Sequence, residues 1–402
     1  MNLNATQLGV RAALAAALLA TAWPATAVDW NGYFRAGPGA SKKDAGRACY
    51  GLNGPGLKYR LGNECDIYGE FALSQGLKAE DVDYKATLMT NLYNPQTDTG
   101  AAKVGIAQMF VEGKGYDIAP ETNFWLGKRY YRDDVHIVDT FFTNLSGVGA
   151  GADIPVGFGK LGVSYFHTDA TATVSGNRVN FDLSGIEVNP RGKLRVLGTI
   201  TQGNFSGGKT GAALTVQHNQ DIRRIGGVAQ PTLQDLVEGG NTVWLQYAQG
   251  SAGLDGNFGD LTAGSDVKSF RAVESFTWQI GRFGGQALAM IQSDKSAAGK
   301  LTSYSVGGRG SYAFTKNFKL VGEAGFSEKK PDGGAAQKLA KLTIAPTLST
   351  GPGFWNRPEL RLYVTTAKWN AAANAAGTGG VTGLGDGKTQ GTSYGAQVEI
   401  WF

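Results

Sequence analysis

Long apolar stretches are missing from this 402-residue sequence once its N-terminus is set aside. No run of eighteen apolar residues occurs there, which excludes a transmembrane helix. Clusters of Lys and Arg are also missing, and a formal net charge of +5 is small for this length, so we expect no nucleic-acid partner. The sequence matches G-x-x-x-x-G-K-[ST] once, at 203–210, and G-x-S-x-G once, at 391–395. Neither match stands between a predicted strand and a predicted helix, so the sequence indicates neither a phosphate-binding loop nor a nucleophilic hydrolase. We expect no cofactor and no enzymatic activity.

The N-terminus has the pattern of a secretory signal peptide. In "MNLNATQLGVRAALAAALLATAWPATA" a single basic residue, Arg11, precedes an apolar stretch, and Ala25-Thr26-Ala27 forms a small-x-small cleavage site. An uncleaved anchor is the alternative, but the stretch is short for a membrane span. We therefore predict a signal peptide over residues 1–27 and a mature chain over residues 28–402.

Cysteine is scarce, with only Cys49 and Cys65 present. An exported chain meets an oxidising compartment, so a disulfide between them is expected. It would close a loop of about fifteen residues and stabilise the fold by ~3 kcal/mol in the chain-entropy model. Two free thiols are the alternative.

Glycine is abundant, with 60 residues and no Gly-X-Y period. Short alternating segments separated by Gly, Asn and Asp dominate, which predicts an all-β fold. The alternation is clear in "VDWNGYFRAG", "DIYGEFALS", "FKLVGEAGF", "ELRLYVTT" and the closing "SYGAQVEIWF". In the closing segment one face carries Tyr394, Ala396, Val398, Ile400 and Phe402, and the other carries Gly395, Gln397, Glu399 and Trp401.

Two architectures produce such alternation: a soluble sandwich and a transmembrane antiparallel β-barrel. Charged side chains share a face with large aromatics, as Arg35 does with Tyr33, and a wet lumen suits that mixture better than a solvent surface. Tyr394 and Phe402 would lie roughly 20 Å apart in height on a tilted strand, about the separation of two interfacial aromatic girdles. These features favour the barrel, and the sequence ends on an aromatic residue, as barrel chains commonly do.

The length of the mature chain fits eighteen strands of ~10 residues with connections of similar size, and sixteen would fit nearly as well. No internal repeat and no linker divides the chain, so a single domain over residues 28–402 is predicted. Three Gly-rich stretches are expected to be loops: "GKTGAALT", "GSAGLDGNFGD" and the low-complexity segment at 370–391.

Several stretches resemble the maltoporins, a family of trimeric, eighteen-stranded, sugar-selective outer-membrane porins. The resemblance rests on "VDWNGYFRAG", "CY…LKYRLGNEC", "GKRYY…DVHIVD", "SGVGAG", "FWNRPELRLYVTTAKW" and "YGAQVEIWF", in the order of the family. The middle of the chain, from about residue 151 to residue 341, matches only loosely. The resemblance implies an inward-folded third loop that narrows the channel.

The same resemblance implies a line of aromatic residues down the lumen and a track of charged residues beside it. The aromatic slide would comprise Tyr33, Tyr68, Trp355 and Trp401. The ionic track would comprise Arg35, Arg60, Glu70, Arg132, Asp134, His136 and Asp139. Alternation alone places Tyr33, Arg35, Tyr68, Glu70 and Trp401 on the polar face, so two arguments agree on these five.

The sequence departs from the family pattern at four places. Phe141 stands where the family narrows its channel with a Tyr. In the second loop Tyr93 is the only aromatic, where the family has a Trp. The slide position before "QYA" is Val243 rather than a Phe. Ala107 stands where an Arg is expected, with Lys103 nearby as a substitute.

The acids and the histidine of "DDVHIVD" allow other interpretations. Asp134 and His136 share a strand face, but a metal site needs three or more converging ligands, so none is expected. Asp133 and Asp134 could serve a glycosidase, yet such pairs more often line a channel. Hydrogen bonding to sugar hydroxyls at a constriction fits both residue types better.

We therefore expect a passive outer-membrane channel for sugars, with maltose and maltodextrin-type oligosaccharides foremost. A general diffusion porin without saturable sugar binding is the alternative, and a soluble periplasmic β-domain that binds or hydrolyses glycans is a third possibility. The expected partners are the sugar, outer-membrane lipid with lipopolysaccharide, and two further copies of the chain in a homotrimer.

Overall fold

The structure is a computed structural model. It describes residues 28–41, 47–52, 57–95, 102–138, 140–169, 174–223, 237–377, 384–385 and 387–402. The predicted signal peptide and Asp139 lie outside these ranges.

Nearly all regular structure in the described residues is β-strand. The strands are β1 Asp29–Ala36, β2 Gly39–Ser41, β3 Ile67–Ala79, β4 Val82–Asn94, β5 Lys103–Lys114, β6 Asn123–Arg129, β7 Arg132–Asp134, β8 Phe141–Asn144, β9 Gly147–Val156, β10 Gly159–Asp169, β11 Ser175–Asn189, β12 Gly192–Gly203, β13 Thr210–Arg223, β14 Val237–Gly250, β15 Lys268–Ile280, β16 Phe283–Ser296, β17 Gly299–Ala313, β18 Phe318–Pro331, β19 Gln337–Ser349, β20 Glu359–Trp369 and β21 Gln390–Trp401. One short helix is described, α1 Ala371–Ala376.

Eighteen of these strands form one closed antiparallel barrel, which confirms the predicted fold class. β1 pairs with β3 on one side and with β21 on the other, so the sheet has no free edge there. β2 continues the line of β1 and pairs with the next part of β21, so it is not counted as a separate strand of the barrel. β7 and β8 form a separate hairpin. Trp30 contacts Phe402 with ring centroids 4.8 Å apart. We call the end of the barrel that holds these two residues the terminal end, and the opposite end the loop end.

The predicted alternation is present along the wall. On β20 the outward Leu360, Leu362 and Val364 are more than half exposed in the isolated chain, whereas the inward Arg361 and Tyr363 are buried. An exposed apolar face opposite a polar interior matches a barrel whose outer surface contacts lipid. Trp401 lies on the inward face of β21, and Phe402 is outside, as predicted.

The interior is filled in part by loops that fold inward. The first loop, between β2 and β3, and the third loop, between β6 and β9, meet where the amide of Arg60 donates to the carbonyl of Ile137 at 3.0 Å. Their apolar side chains pack against the inner wall. That cluster comprises Leu57, Tyr59, Val135, Ile137, Val138, Phe142, Trp244, Val273, Leu288, Met290 and Phe354. The inward-folded third loop is therefore held by burial of apolar surface.

The three Gly-rich stretches have different outcomes. "GSAGLDGNFGD" is a loop beyond its first residue, as predicted. The prediction for "GKTGAALT" is wrong, because β13 begins at Thr210, where Ala213 packs inward and Leu214 faces outward. The segment at 370–391 contains α1, and its Ala373 is buried against Trp369 and Tyr50 rather than exposed. None of the helical structure in the described ranges is long and apolar enough to span a membrane.

Candidate functional site

The predicted disulfide is present between Cys49 and Cys65. It closes the first loop at its base, and the loop then enters the lumen. There Arg60 donates to Glu64 at 2.6 Å, and both side chains are buried. Burial alone raises the pKa of the Glu64 carboxyl, but Arg60 and Arg35 bring it below its ordinary value. Glu64 is therefore ionised, and the loop carries a paired charge into the interior.

Tyr33 and Tyr68 come together on the inner wall, with ring centroids 6.3 Å apart. They lie on β1 and β3, which are neighbours in the barrel. Arg60 donates to the Tyr33 hydroxyl at 2.8 Å, and the Arg35 guanidinium lies 5.1 Å from the centre of the Tyr68 ring. Arg35 is itself paired with Asp66 at 2.7 Å. Two residues assigned to the ionic track thus hold two residues assigned to the aromatic slide.

A second set joins the wall to the third loop. Glu70 accepts hydrogen bonds from the Tyr68 hydroxyl and from Arg132, the latter at 3.1 Å. The Arg132 guanidinium lies over two rings, 4.0 Å from the centre of Tyr130 and 4.6 Å from that of Phe141. Phe141 is 39% exposed and belongs to the β7–β8 hairpin, so its ring is presented to the lumen.

The third loop also places His136 against the two tryptophans. The imidazole centroid is 5.4 Å from Trp355 and 5.4 Å from Trp401. The two indoles are 6.3 Å apart, although they come from different parts of the chain. Trp355 belongs to the connection between β19 and β20 and is 42% exposed. All four residues of the predicted slide are thus found in two aromatic pairs.

The protonation state of His136 follows from its neighbours. Its Nε2 lies 3.2 Å from Arg357 and 3.4 Å from Arg309, and both guanidinium groups can only donate. Nε2 therefore accepts, and the ring is neutral with its proton on Nδ1. Burial lowers the pKa of His136 to about 4, although the nearby carboxylate of Glu399 opposes this. His136 is uncharged at neutral pH.

The most connected group in the site was not among the sequence-based candidates. Glu399 accepts from the Tyr33 hydroxyl at 3.1 Å and from Arg357 at 3.2 Å, and it also binds Arg361. Its place on the same face as Trp401 follows from the alternation of the last strand. The motif "YGAQVEIWF" contains Glu399, so the alternation of inward and outward side chains combined with that motif could have identified it.

Together these contacts form one continuous line, which we call the aromatic–ionic line. It runs from Phe141 through Arg132, Glu70, Tyr68, Tyr33, Glu399, Arg357 and His136 to Trp401 and Trp355. Each member touches the next by a ring contact, a hydrogen bond or an ion pair. Rings and hydrogen-bonding groups therefore alternate along a path from the third loop to the terminal end.

The predicted track residues differ in exposure. Arg35 and Arg60 are at most 9% exposed, so they position rings rather than face the open lumen. Asp134 is exposed in β7, opposite Phe141 in the hairpin register, and interacts electrostatically with Arg60 and Arg132. Asp139 lies outside the described residues.

The departures from the family pattern have separate outcomes. The assignment of Val243 to the slide is wrong, because Val243 lies on the outward face of β14 with Leu245 and Tyr247. The inward aromatic of this segment is Trp244, which is buried 5.3 Å from the Phe142 ring. A shift of one residue along a strand moves a side chain to the opposite face, and this explains the error.

The other two departures lie on neighbouring strands. Ala107 is buried at a register shift in β5 and leaves no charge on the inner wall. Lys103 lies at the loop end of the same strand, opposite Tyr93 of β4. Tyr93 is also opposite Tyr68, so both side chains lie on the inward face, and Tyr93 is 39% exposed. An aromatic and a cation therefore stand side by side at the loop end.

Metal binding has no support in the described parts of the chain. No group of three or more His, Cys, Asp or Glu side chains there is placed to hold an ion. The site instead offers rings, fixed donors and fixed acceptors to a polar molecule.

Comparison with known proteins agrees with this geometry. Residues 28–402 match the family model of the LamB porins. Among solved structures, the chain is similar to OccAB1 of Acinetobacter baumannii, with a TM-score of 0.54 and 9% identity over 93% of this chain and 96% of that one. It is also similar to OccD3 (OpdP) of Pseudomonas aeruginosa, with a TM-score of 0.52 and 8% identity over 94% of this chain and 92% of that one. At such identities the structural likeness concerns the fold alone.

Proposed function

This chain belongs to the LamB porin family and forms a channel of the bacterial outer membrane, and from that premise we propose that its substrates are sugars. Maltose and maltodextrin-type oligosaccharides are the foremost candidates, as the resemblance to maltoporins implies. The aromatic–ionic line is the observation that carries this proposal.

The chemistry of the line suits a sugar. A pyranose ring has flat C–H faces that pack on aromatic rings, and hydroxyl groups around its edge that both donate and accept hydrogen bonds. Trp355 and Phe141 are the most exposed rings of the line, and Glu70 and Arg132 supply an acceptor and donors between them. A sugar that moves along this path can exchange one set of contacts for the next.

Passage through such a channel is passive. Each step needs binding that is favourable yet weak enough for release, and a series of similar sites provides it. The fixed ion pairs of Arg35 and Arg60 keep Tyr33 and Tyr68 in place while the sugar moves past. In this mechanism the buried charges act as positioning residues, and the exposed members of the line contact the substrate.

The test is ion current through the purified protein in a planar bilayer, titrated with monosaccharides and with malto-oligosaccharides of increasing length. The proposal expects saturable block by at least one oligosaccharide, with tighter block as the chain covers more rings of the line. Open conductance with no block by any sugar in the panel would favour a general diffusion porin instead.

Three further features belong to the proposal. We expect cleavage after Ala27, a homotrimeric assembly, and contact with outer-membrane lipid and lipopolysaccharide. N-terminal sequencing of the exported protein tests the first, and native mass spectrometry in detergent tests the second. A retained N-terminus or a monomer under all mild detergents would contradict them.

A further inference from the structure

A row of lysines encircles part of the outer wall at the loop end. Six adjacent strands, β15 to β20, each place one exposed, outward lysine within two residues of their loop-end terminus. We call these six residues the lysine belt. They are Lys268, Lys295, Lys300, Lys330, Lys338 and Lys368.

The register of the strands brings these charges close together. Lys268 is directly opposite Lys295, and Lys295 is directly opposite Lys300. Directly opposed side chains have Cβ atoms about 5 Å apart, and like charges at that distance destabilise a sheet. Three lysines in one row across three strands therefore repel one another, and a bound anion would relieve that repulsion.

The protein itself supplies little of that balance. Within these strands, Glu328 is the outward carboxylate near the loop end, and it pairs with Lys338 at 3.5 Å. Asp332 follows β18, and its amide donates to the carbonyl of Lys300 at 2.8 Å. Among the described residues, no ion pair is found for Lys268, Lys295, Lys300, Lys330 or Lys368.

The wall beneath the belt is apolar. Phe270 and Tyr304 lie next to it, two and four residues from the lysines of their own strands. Below them come Ile291, Val306 and Leu342, all more than 40% exposed in the isolated chain. A ligand with a negatively charged head and hydrocarbon chains would satisfy both zones at once.

The lysines are concentrated on one side of the barrel, and elsewhere β6 places Lys128 outward near its loop end. At the corresponding loop-end positions of β10 to β13, the outward residues are Asp169, Asn177, Gln202 and Thr210. A general requirement for cations at the membrane surface would distribute lysines over both sides. The concentration on β15 to β20 instead indicates a localised docking surface.

We propose that the lysine belt docks lipopolysaccharide through the phosphate groups of its lipid anchor, with the acyl chains lying on the apolar wall below. Ammonium groups bind phosphate oxygens as point charges and hydrogen-bond donors. A doubly phosphorylated anchor can join lysines of neighbouring strands, which a single phosphate cannot do as well. This inference rests on the outer-membrane location and sets the loop end in the outer leaflet, but it does not depend on sugar binding.

The test compares lipid binding by the refolded full chain, prepared free of lipopolysaccharide, with three probes. These are intact lipopolysaccharide, phosphatase-treated lipopolysaccharide and phosphatidylglycerol, and bound lipid is counted by native mass spectrometry across a titration. The test variant is Lys268→Gln/Lys295→Gln/Lys300→Gln. The control, Lys78→Gln/Lys85→Gln/Lys114→Gln, removes the same number of exposed lysines from the lumen side of the terminal end, away from the outer wall.

Each lysine near an anionic lipid surface contributes about a fivefold gain in affinity, so the triple variant should bind intact lipopolysaccharide roughly 100-fold more weakly. The control should bind as the unmodified chain does, and the phosphatase-treated lipid should bind the unmodified chain weakly. Equal binding by the triple variant and the control would overturn the proposal. The proposal would also be overturned if the unmodified chain bound intact and phosphatase-treated lipopolysaccharide equally. Equal binding of phosphatidylglycerol and lipopolysaccharide would likewise overturn it. Sugar block of current should be the same in the triple variant of the belt as in the unmodified chain, so a failure here is separate from a failure of the sugar-channel proposal.

Discussion

At the scale of single residues, His136 is the side chain whose state is most tightly set by its surroundings. Its neutral ring accepts from Arg357 and Arg309 and lies against Trp355 and Trp401. A proton on Nε2 would place a third cation beside two guanidinium groups. Protonation should therefore loosen the tip of the third loop.

Acid should destabilise the protein through His136 in a defined interval. Its pKa of about 4 lies below the ordinary value of 6.5, so the unfolded chain binds the proton more readily between these values. The free energy of unfolding therefore has its full value above pH 6.5. Between pH 6.5 and pH 4 it decreases by about 1.4 kcal/mol per pH unit, to a total loss of about 3 kcal/mol. The midpoint of heat-induced gel-mobility change, followed across that interval, measures it.

His136→Gln is the control for this effect, because the carboxylates of the lumen titrate alike in both proteins. The variant should lose most of the slope between pH 6.5 and pH 4. The same slope in both proteins would show that His136 is not the group responsible.

At the scale of elements, the first loop is seated on the opposite wall through one aromatic ring. Tyr59 lies against Gly307 of β17 and Gly325 of β18, which are directly paired. A Cβ at Gly325 would stand 2.0 Å from the Tyr59 ring, so only glycine leaves room for it. The Tyr59 hydroxyl shares a hydrogen bond with Ser305 at 3.1 Å. The loop is thus fixed at its base by the disulfide and at its tip by this seat.

Gly325→Ala should displace the first loop from the wall. Overpacking of this kind costs about 1–3 kcal/mol, and release of the loop should raise the open-channel conductance. Gly322→Ala, on the same strand with open space around its Cβ position, should change neither property. In a Tyr59→Ala background the Gly325→Ala change should be harmless, and a full additional cost there would contradict the proposed seat.

The strands could be assigned an inward and an outward face from the sequence, but the contacts of the loops could not. Strict alternation placed Tyr33, Tyr68 and Trp401 on the inner wall, because each strand has one lipid face and one wet face. The assignment of Val243 rested on a motif alone and was not compared with the alternation of the strand. An error of one residue in the alignment therefore placed an outward residue on the inner face. Contacts such as Arg60 with Tyr33 join a loop to a distant strand, and neither period nor motif encodes how a loop folds back into a lumen.

At the scale of the whole molecule, the barrel is divided by function between its two faces. The inner face carries the aromatic–ionic line and a dense set of paired charges, and the outer face carries apolar side chains and aromatics. Trp30 and Trp401 show the division most simply. Both lie near the terminal end, but Trp30 is outward and 63% exposed, whereas Trp401 is inward beneath the Arg357 guanidinium at 4.2 Å.

The central claim is that sugar binds to the inward rings, and sugar titration of bilayer current in Trp401→Ala and Trp30→Ala tests it most directly. Loss of one stacking ring costs on the order of 1 kcal/mol, so Trp401→Ala should weaken the block by about fivefold while the barrel still folds. Trp30→Ala removes the same side chain from the outer wall and should leave the block unchanged. Unchanged block in Trp401→Ala, or equal weakening in both variants, would contradict the claim.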